Sequence, residues 1–406
     1  MPYDFDTETD RRATGSVKWE VIQSLADPAK WIQTDAYFGE NRILPMWVAD
    51  MDFLCPSAVI EALEKRVRHG IFGYTQPDSE YFRAVIGWMK RRHDWDVKQD
   101  WIMITHGVVP ALHLLVRTFV APGKKVLVQR PVYYPFFSAI EKNGAEIVSN
   151  TLNLKNGRYQ MNFDDLAEKA SDPDVTMAIL CSPHNPVGRI WSLEELRRFA
   201  EICFQNHVMV VADEIHGDLV YPGNTFTPYA AAREAFMDNA VICTAPSKTF
   251  NLAGLQTSNL IIPNERIREK FQKTLLANGI FGINPFGMAA CRAAYDEGEA
   301  WLEQLKAYLH GNLTVMTDLF RREIPHVPVI KPDGTYLVWF DCRALNLDNH
   351  DLRDLMLNQA RVFLDEGYIF GSEGSGFERI NIACPRVVLM EALERIVAAV
   401  QSLPER

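Results

Sequence analysis

Five short, continuously apolar segments constrain the fold of this chain more than any other feature of its sequence. They are predicted as β-strands at residues 101–105, 125–129, 176–181, 208–212 and 240–244. Strands without polar alternation belong in a sheet that is covered on both faces. Because amphipathic helical stretches lie between them, they indicate an α/β fold with a mainly parallel sheet.

Local signals mark the ends of two of the intervening helices. The segment after Pro56 carries apolar residues at helical spacing and stops at Gly70, where a left-handed cap is easy. Ser192 and Glu195 form a capping-box pattern ahead of another amphipathic stretch. Both patterns predict helices that cover the sheet.

Length and element order predict more than one domain. A chain of 406 residues, 48% of them hydrophobic, is too long for one ordinary core. The order changes after residue 294 to a long helix, further helices and apolar runs at 336–341 and 379–383. The sequence therefore predicts a large domain at 56–294 and a smaller α+β domain at 295–406. An N-terminal arm at 1–55 is expected to form part of the small domain.

Charge and cysteine content limit the partners of this chain. The formal net charge is -10 and the basic residues are scattered, which argues against nucleic acid and an anionic membrane surface as partners. Seven widely spaced cysteines without a C-x-x-C pair indicate reduced thiols and no zinc-type metal site. With no signal-peptide pattern and no membrane-spanning apolar run, we expect a cytoplasmic protein that acts on small molecules.

Two charged residues follow predicted strands at the edge where α/β proteins bind ligands. Lys248 lies in T-A-P-S-K-T-F-N-L-A-G, just after the run that ends at Thr244, although a lone lysine in a polar loop is usually a surface residue. Asp213 ends a strongly apolar strand, where a carboxylate is costly unless it is paired. Its partner could be the protonated ring nitrogen of a cofactor, a metal ion or a helix start.

Three further segments follow predicted strands. Asn185, in C-S-P-H-N-P-V-G-R, could donate its amide to a ligand or belong to an ordinary turn. Gly107 and Val108 open a helix whose first N–H groups could bind an anion, unless the turn is simply tight. The ring of Tyr133, or of Tyr134 in its place, could lie against a flat ligand or pack in the core.

These segments together resemble a known family. The ordered motifs G-V-V-P-A-L, P-V-Y, N-P-V-G, A-D-E-I-H and S-K-T-F-N-L-A-G-L-Q, with the earlier P-M-W-V-A-D-M-D-F and F-G-Y-T, are similar to those of fold-type-I enzymes that use pyridoxal 5′-phosphate (PLP). More specifically, they resemble the MalY/PatB group of cystathionine β-lyases over nearly the whole chain. The resemblance implies an aspartate-aminotransferase-like fold, PLP as cofactor and cleavage of cystathionine or related cysteine conjugates to pyruvate, ammonia and a thiol. Two alternatives stay open: an aminotransferase on the same scaffold, and a regulatory protein that retains PLP and docks on a partner.

The resemblance also implies roles for single residues. Lys248 matches the catalytic lysine that holds PLP covalently, Asp213 the partner of the pyridine nitrogen, and Asn185 the donor to the phenolate oxygen, next to the substrate. Arg379, in E-R-I-N-I-A-C-P-R, matches the residue that binds the substrate α-carboxylate, although by itself it could be a surface ion-pair residue. Tyr74 matches the tyrosine that reaches the phosphate in the neighbouring subunit, which implies a homodimer with shared active sites. Tyr133 matches the residue that stacks on the cofactor ring.

The sequence departs from relatives of the aspartate type at two places. His216 stands three residues after Asp213, where a tyrosine that contacts the phenolate oxygen is usual. Gln256 stands eight residues after the lysine, where many relatives have a phosphate-binding arginine, and Ala245 stands three before it. Phosphate binding is then expected to rest on the helix start, Tyr74 and Ser247.

Overall fold

The computed structural model describes residues 2–23 and 30–404, which form two compact units. The larger unit contains residues 55–303 and 333–335, and the smaller unit contains 1–54, 304–332 and 336–406. The N-terminal segment thus groups with the C-terminal one. The chain passes from the larger to the smaller unit between residues 303 and 304, inside the helix Glu299–Glu323 and not near residue 294. The first turn of that helix stays with the larger unit because the Arg92 guanidinium pairs with both Glu299 and Glu303.

A seven-stranded sheet forms the centre of the larger unit. Its seven strands are β4 (Ile102–Thr105), β5 (Lys125–Val128), β6 (Glu146–Ser149), β9 (Val175–Cys181), β10 (Met209–Asp213), β11 (Ala240–Thr244) and β12 (Ser258–Ile261). Strands β7 (Asn153–Lys155) and β8 (Arg158–Gln160) form a separate hairpin. The order in the sheet is β4-β12-β11-β10-β9-β5-β6. Strand β12 is antiparallel to both of its neighbours, β11 and β4, and the other neighbouring strands of this sheet pair in parallel. The predicted α/β class with a mainly parallel mixed sheet is therefore confirmed.

The five predicted strands correspond to β4, β5, β9, β10 and β11. The sequence did not predict β6 or β12. Strand β6 lies at an edge of the sheet with its residues only partly buried, so it lacks the fully apolar run of a central strand. Strand β12 begins with Ser258 and Asn259, which are fully buried but polar, and only two apolar residues follow. A pattern of apolar runs cannot find strands of either kind.

Helices cover this sheet. Those of the larger unit are α2 (Ser57–His69), α3 (Ser79–His93), α4 (Val108–Phe119), α5 (Pro135–Glu141), α6 (Phe163–Ala170), α7 (Leu193–Gln205), α8 (Pro246–Thr249), α9 (Glu265–Ala277) and α10 (Pro285–Glu297). The two local predictions are confirmed: Gly70 caps α2 with φ 73°, and Ser192 and Glu195 form a complete capping box at α7. Over the described ranges, no helix has the length and apolarity needed to cross a membrane.

The smaller unit is built around a four-stranded antiparallel sheet with the order β13-β14-β17-β16. Its strands are β1 (Val21–Gln23), β2 (Trp31–Gln33), β3 (Leu44–Pro45), β13 (Val329–Ile330), β14 (Leu337–Asp341), β15 (Val362–Phe363), β16 (Asp365–Glu366) and β17 (Phe377–Asn381). Its helices are α1 (Val17–Glu20), most of α11 (Glu299–Glu323), α12 (Asn349–Asp354) and α13 (Arg386–Gln401). Strand β3 of the N-terminal segment pairs with β15, so this segment is a packed arm, as its apolar composition predicts.

Asp333 fixes the turn of the larger unit that follows β9. Its buried carboxylate accepts hydrogen bonds from the Arg189 guanidinium at 2.6 Å and from the Ile190 N–H at 3.1 Å. Its own N–H donates to the Gly188 carbonyl at 2.7 Å. Arg189 also pairs with Glu195 at the start of α7. The turn that carries Asn185 is therefore held from both sides by charged groups.

We predict that Asp333→Ala lowers the free energy of unfolding by about 3 kcal/mol, because the buried Arg189 loses one of its two anionic partners. Urea unfolding monitored by circular dichroism measures the change. Asp318→Ala is the matched control, since the Asp318–Arg321 pair is exposed and its loss should change little. Equal effects of the two substitutions would contradict this reading of Asp333.

Candidate active site

The carboxyl ends of three neighbouring parallel strands bring the central predicted residues to one edge of the sheet. Asp213, the last residue of β10, lies opposite Cys243 of β11 and Cys181 of β9. Lys248 follows the end of β11 after a short loop, and Asn185 follows the end of β9. Because the strands are adjacent, residues far apart in sequence converge at this edge.

Asp213 is a buried carboxylate, 4% exposed. One of its oxygens accepts a hydrogen bond from the Ile215 N–H at 3.2 Å. Burial raises the pKa of Asp213 to about 6, while that hydrogen bond and the charge of Lys248 act in the opposite direction. A cationic partner at this position would lower the pKa of the carboxyl and favour its ionised form.

Lys248 and Ser247 lie in the short helix α8, directly after β11. Both side chains are half-buried, whereas Pro246 before them and Thr249 after them are buried. The lysine is thus anchored by a buried backbone and keeps an accessible side chain. This differs from a lysine in a fully solvated loop.

Asn185 lies in a compact turn and is 3% exposed. Its N–H donates to the Cys181 sulfur at 3.4 Å, and the His184 N–H next to it donates to the Arg189 carbonyl at 2.7 Å. The turn is therefore an ordered part of the larger unit. A buried amide at a sheet edge is suited to contact with a polar ligand.

The start of α4 has the geometry expected of an anion site. Gly107 precedes the helix with φ 107° and ψ 159°, a conformation that favours glycine. Val108 is the first residue of the twelve-residue helix. The first N–H groups of a helix lack acceptors within it and carry the positive end of its dipole, so a phosphate here would be stabilised.

The aromatic and histidine residues occupy different environments. Tyr133 is half-buried after β5, with its ring centroid 5.5 Å from Tyr134 and 5.8 Å from Phe136. His216 is buried in the turn after β10. Tyr74 is fully exposed in the segment between α2 and α3. Of these residues, Tyr74 is the one whose predicted role requires a second subunit.

Arg379 lies on β17 of the smaller unit and is only 2% exposed, so the reading as a surface ion-pair residue is wrong. Its guanidinium pairs with the buried Asp365 on the neighbouring strand β16 and donates to the Trp47 carbonyl at 2.8 Å. The Cζ atom of Arg379 lies over the Phe370 ring, 5.0 Å from its centroid. These contacts fix the orientation of the guanidinium.

The arrangement in the larger unit has a definite chemical character. A buried carboxylate suits a protonated ring nitrogen, a helix start suits a phosphate, and a lysine amine at the same edge of the sheet can form a covalent bond to an aldehyde or accept a proton. A ligand that combines these groups would be held at three points. The structure thus brings Asp213, Lys248 and Asn185 to adjacent strand ends.

Comparison with known proteins identifies the family. A model of the family described as aminotransferase class I and II matches residues 42–396. The chain belongs to this family. Among its members, the chain is 45% identical over 395 residues to the cystathionine beta-lyase PatB of Bacillus subtilis (strain 168), covering 97% of this chain and 99% of that protein.

Two other family members show the same likeness. The chain is 30% identical over 403 residues to the protein MalY of Escherichia coli (strain K12), covering 99% and 100% of the two chains. The crystal structure of cystalysin from Treponema denticola, which contains a PLP cofactor, superposes with a TM-score of 0.93 at 40% identity and covers all of both chains. The resemblance to the MalY/PatB group and the aspartate-aminotransferase-like fold are therefore confirmed.

Two buried polar residues of the larger unit were not among the predicted site residues. Glu214 follows Asp213 directly, and Asp218 lies five positions after it. Their position within the motif segment was an available signal. Their partners Tyr229 and His93 come from distant segments, and only the tertiary structure reveals these contacts.

Glu214 makes stability depend on pH. The pKa of Glu214 is raised from 4.5 to about 8: burial is the main cause and the charge of Asp213 adds to it, while the Tyr229 N–H, which donates to the carboxyl at 2.6 Å, acts in the opposite direction. The folded protein therefore holds a proton that the unfolded chain releases above its ordinary pKa. This contribution to stability is complete below pH 4.5 and is lost as the pH rises towards about 8.

We predict that Glu214→Gln becomes more stable relative to the wild type as the pH rises between 4.5 and about 8, because glutamine retains the acceptor and does not ionise. Each unit of pKa difference between folded and unfolded states corresponds to about 1.4 kcal/mol. Melting temperatures at pH 5, 7 and 9 measure the trend, and the exposed Glu64→Gln serves as control. A constant difference at all three pH values would refute the assignment.

Proposed function

We propose that this chain is a PLP-dependent carbon–sulfur β-lyase that cleaves L-cystathionine or related cysteine S-conjugates to pyruvate, ammonia and a thiol. The observation that carries the proposal is the buried Asp213 carboxylate beside Lys248 at adjacent strand ends of the sheet. The name of the relative PatB supports the choice of a lyase, and the PLP in cystalysin supports the choice of cofactor.

The residues present fit PLP. The pyridine nitrogen would face the Asp213 carboxylate, whose pKa is raised because burial outweighs the Ile215 hydrogen bond and the charge of Lys248. The phosphate would lie at the α4 start, where Gly107 and Val108 supply N–H groups, with Ser247 beside it. No arginine or serine stands at positions 256 and 245, so the helix start would carry more of the phosphate charge.

Three other residues would contact the cofactor ring. Tyr133 would lie against its face, since an aromatic ring packs well on a flat heterocycle. The Asn185 amide would donate to the phenolate oxygen, and the buried His216 would lie on the same side of the site. Bound PLP supplies a sink for the electron pair left when a proton leaves the substrate Cα.

The chain's own residues would direct the proton and the leaving group. The Lys248 amine would remove the proton from the substrate Cα. The Asp213 carboxylate would keep the ring nitrogen of bound PLP protonated. Loss of the Cα proton would let the Cβ–S bond break, and the thiolate would leave with the bonding electron pair. If Lys248 instead delivered this proton to the cofactor, amino-group transfer would follow. The destination of the proton held by Lys248 therefore decides between the two reactions.

Arg379 would bind the substrate α-carboxylate. A guanidinium fork matches a planar carboxylate, and burial strengthens such a charge-assisted pair. Asp365 and the Trp47 carbonyl hold the group in one orientation before substrate arrives. This preorganisation would fix the amino acid and leave its side chain to be selected elsewhere.

An aminotransferase is the second candidate, because the family is described by that activity. We predict that the purified holoprotein releases pyruvate and free thiol from L-cystathionine without added keto acid. Coupled lactate dehydrogenase and a thiol reagent measure the two products. Strict dependence of turnover on a keto acid would instead identify an aminotransferase.

Lys248→Ala is the control for this assay and is expected to lose turnover and the visible absorbance of bound cofactor. Lys273→Ala removes a different lysine, from the α9 helix of the same unit, and should retain both. An unchanged spectrum in Lys248→Ala would show that another residue holds the cofactor.

We further propose a homodimer with shared active sites. Tyr74 is fully exposed, and the nearby Ile71 and Phe72 are more than half exposed, as is Phe281. Gln76 links these two segments by donating to the Phe281 carbonyl at 3.0 Å. Exposed apolar side chains grouped in this way suit a subunit interface, and Tyr74 would then reach the partner's phosphate.

A cytoplasmic location belongs to the same proposal. All seven cysteines are described and none forms a disulfide, and six of the seven are buried. Unpaired thiols are usual in a reducing compartment.

We predict that co-expression of Lys248→Ala with Tyr74→Ala restores activity to about a quarter of the wild-type value, because half of randomly formed dimers contain one site with both native residues. The co-expressed pool is assayed first; differently tagged subunits then allow the mixed dimer, with one intact site of two, to be purified, and it should show about half of the wild-type activity. The pair Lys248→Ala and Asp213→Ala is the matched control and should show no recovery, since both residues belong to one subunit's site. Failure of the first pair to exceed the separate variants would argue against shared sites.

A further inference from the structure

Asp218 is the centre of a buried hydrogen-bond network behind the lysine. It is 8% exposed and lies five residues after Asp213 in the segment that follows β10. One carboxylate oxygen accepts from the Thr249 hydroxyl at 2.8 Å and from the Trp88 indole N–H at 3.1 Å. The other oxygen lies 3.1 Å from the His93 ring nitrogen Nε2. Thr249 is the residue next to Lys248.

Helix α3 supplies the rigid side of this network. Trp88 and His93 both lie on α3, and Trp88 is fully buried and stacked on Tyr295 at 5.1 Å. The Trp88 ring also contacts Phe250 edge-on, with centroids 5.4 Å apart. The two residues that follow Lys248 are therefore each held by the same support: Thr249 through Asp218, and Phe250 through Trp88.

The packing around Phe250 leaves little room for movement. A Cβ atom at Gly298 would lie 2.5 Å from the Phe250 ring, which is closer than real Cβ contacts. The ring of Phe250 is itself fully buried. A residue this tightly enclosed cannot shift without displacing its neighbours. The backbone after Lys248 thus has one well-defined position.

The charge of Asp218 is compensated within this network. Burial raises its pKa, but the hydrogen bonds from His93 and Thr249 and the nearby charge of Arg92 outweigh burial, so the pKa is lowered overall. The carboxylate therefore remains ionised as an acceptor. Asp213, by contrast, has a raised pKa. The pKa values of these two aspartates, five residues apart, are shifted in opposite directions. Asp218 thus has its hydrogen-bond donors within the protein, whereas the ionised form of Asp213 would be favoured further by a cationic ligand.

We propose that Asp218 is a positioning residue: by accepting the Thr249 hydrogen bond from a site fixed by Trp88 and His93, it sets the position of the Lys248 amine relative to Asp213. The inference rests on the proposed role of Lys248 in holding PLP. Asp218 and Asp213 lie on one segment and Thr249 and Lys248 on another, so this single hydrogen bond joins the two segments that supply the reacting groups. A small displacement of a reacting amine is expected to cost far more in rate than in stability.

The test removes only the hydroxyl of Thr249. Thr249→Val keeps the branched shape but cannot donate to Asp218, whereas Thr249→Ser keeps the donor. We expect Thr249→Val to weaken PLP binding about tenfold, measured by absorbance titration of the apoprotein, and to lower kcat about tenfold with little change in KM. The midpoint of the pH titration of the visible cofactor band should also shift. Thr249→Ser should recover most of the PLP affinity.

Thr118→Val is the control, because it removes a part-buried threonine hydroxyl that donates to the Leu114 carbonyl and to the Thr274 hydroxyl, away from the network. It should leave PLP affinity unchanged. If Thr249→Val binds PLP and turns over within twofold of the wild type, or if Thr249→Ser is as impaired as Thr249→Val, the proposal is overturned. A stability role alone would lower the melting temperature of the apoprotein without moving the titration midpoint.

A second variant covers the case in which Thr249→Val does not fold. Trp88→Phe keeps an aromatic ring beside Phe250 and removes the indole donor to Asp218. We expect a two- to fivefold loss of PLP affinity, and wild-type affinity and titration midpoint would overturn the proposal. PLP affinity does not depend on which substrate is cleaved, so wild-type protein that binds PLP but releases no thiol would refute only the lyase activity.

Discussion

The burial of one carboxylate at the end of a central strand is the constraint on which the site depends. Asp213 ends β10 between two parallel neighbours, where solvent cannot stabilise its charge, and its pKa is raised to about 6. A charge in this position is tolerated in a fold only if a partner is supplied. The chain supplies Lys248 nearby, and a ligand with a protonated ring nitrogen would complete the pairing.

The parallel sheet explains why one edge carries the reacting groups. In parallel strands the carboxyl ends align, so the segments after β9, β10 and β11 meet although they are far apart in sequence. The same regions are supported from behind by buried ions. Asp333 and Arg189 hold the turn of Asn185, and Asp218 holds the segment of Lys248. Rigid support of this kind keeps reactive side chains in place without using them in the reaction.

In the smaller unit, buried polar partners likewise hold a charged side chain, Arg379, in one orientation. Arg379 is buried beside Asp365 on antiparallel strands, and its orientation is fixed by a carboxylate and a carbonyl of the N-terminal arm. The arm therefore contributes to the environment of the proposed carboxylate-binding residue. Its aromatic residues pack with residues of the C-terminal segment in a separate core, where the ring centroids of Trp47 and Phe363 are 5.0 Å apart.

The sequence by itself determined the α/β class, five of the seven strands of the large sheet, two helix ends and the residues at the strand ends, because continuous apolar runs and capping residues are local signals. The family followed from the order of motifs along the chain, which can be read without knowing the fold. Tertiary structure alone decided the edge strand β6 and the polar strand β12, since their burial depends on neighbours and not on pattern. It also decided the burial of Arg379 and the partners of Asp218 and Glu214. Hydrogen bonds between residues more than a hundred positions apart, such as Trp88 to Asp218, leave no periodicity in a sequence.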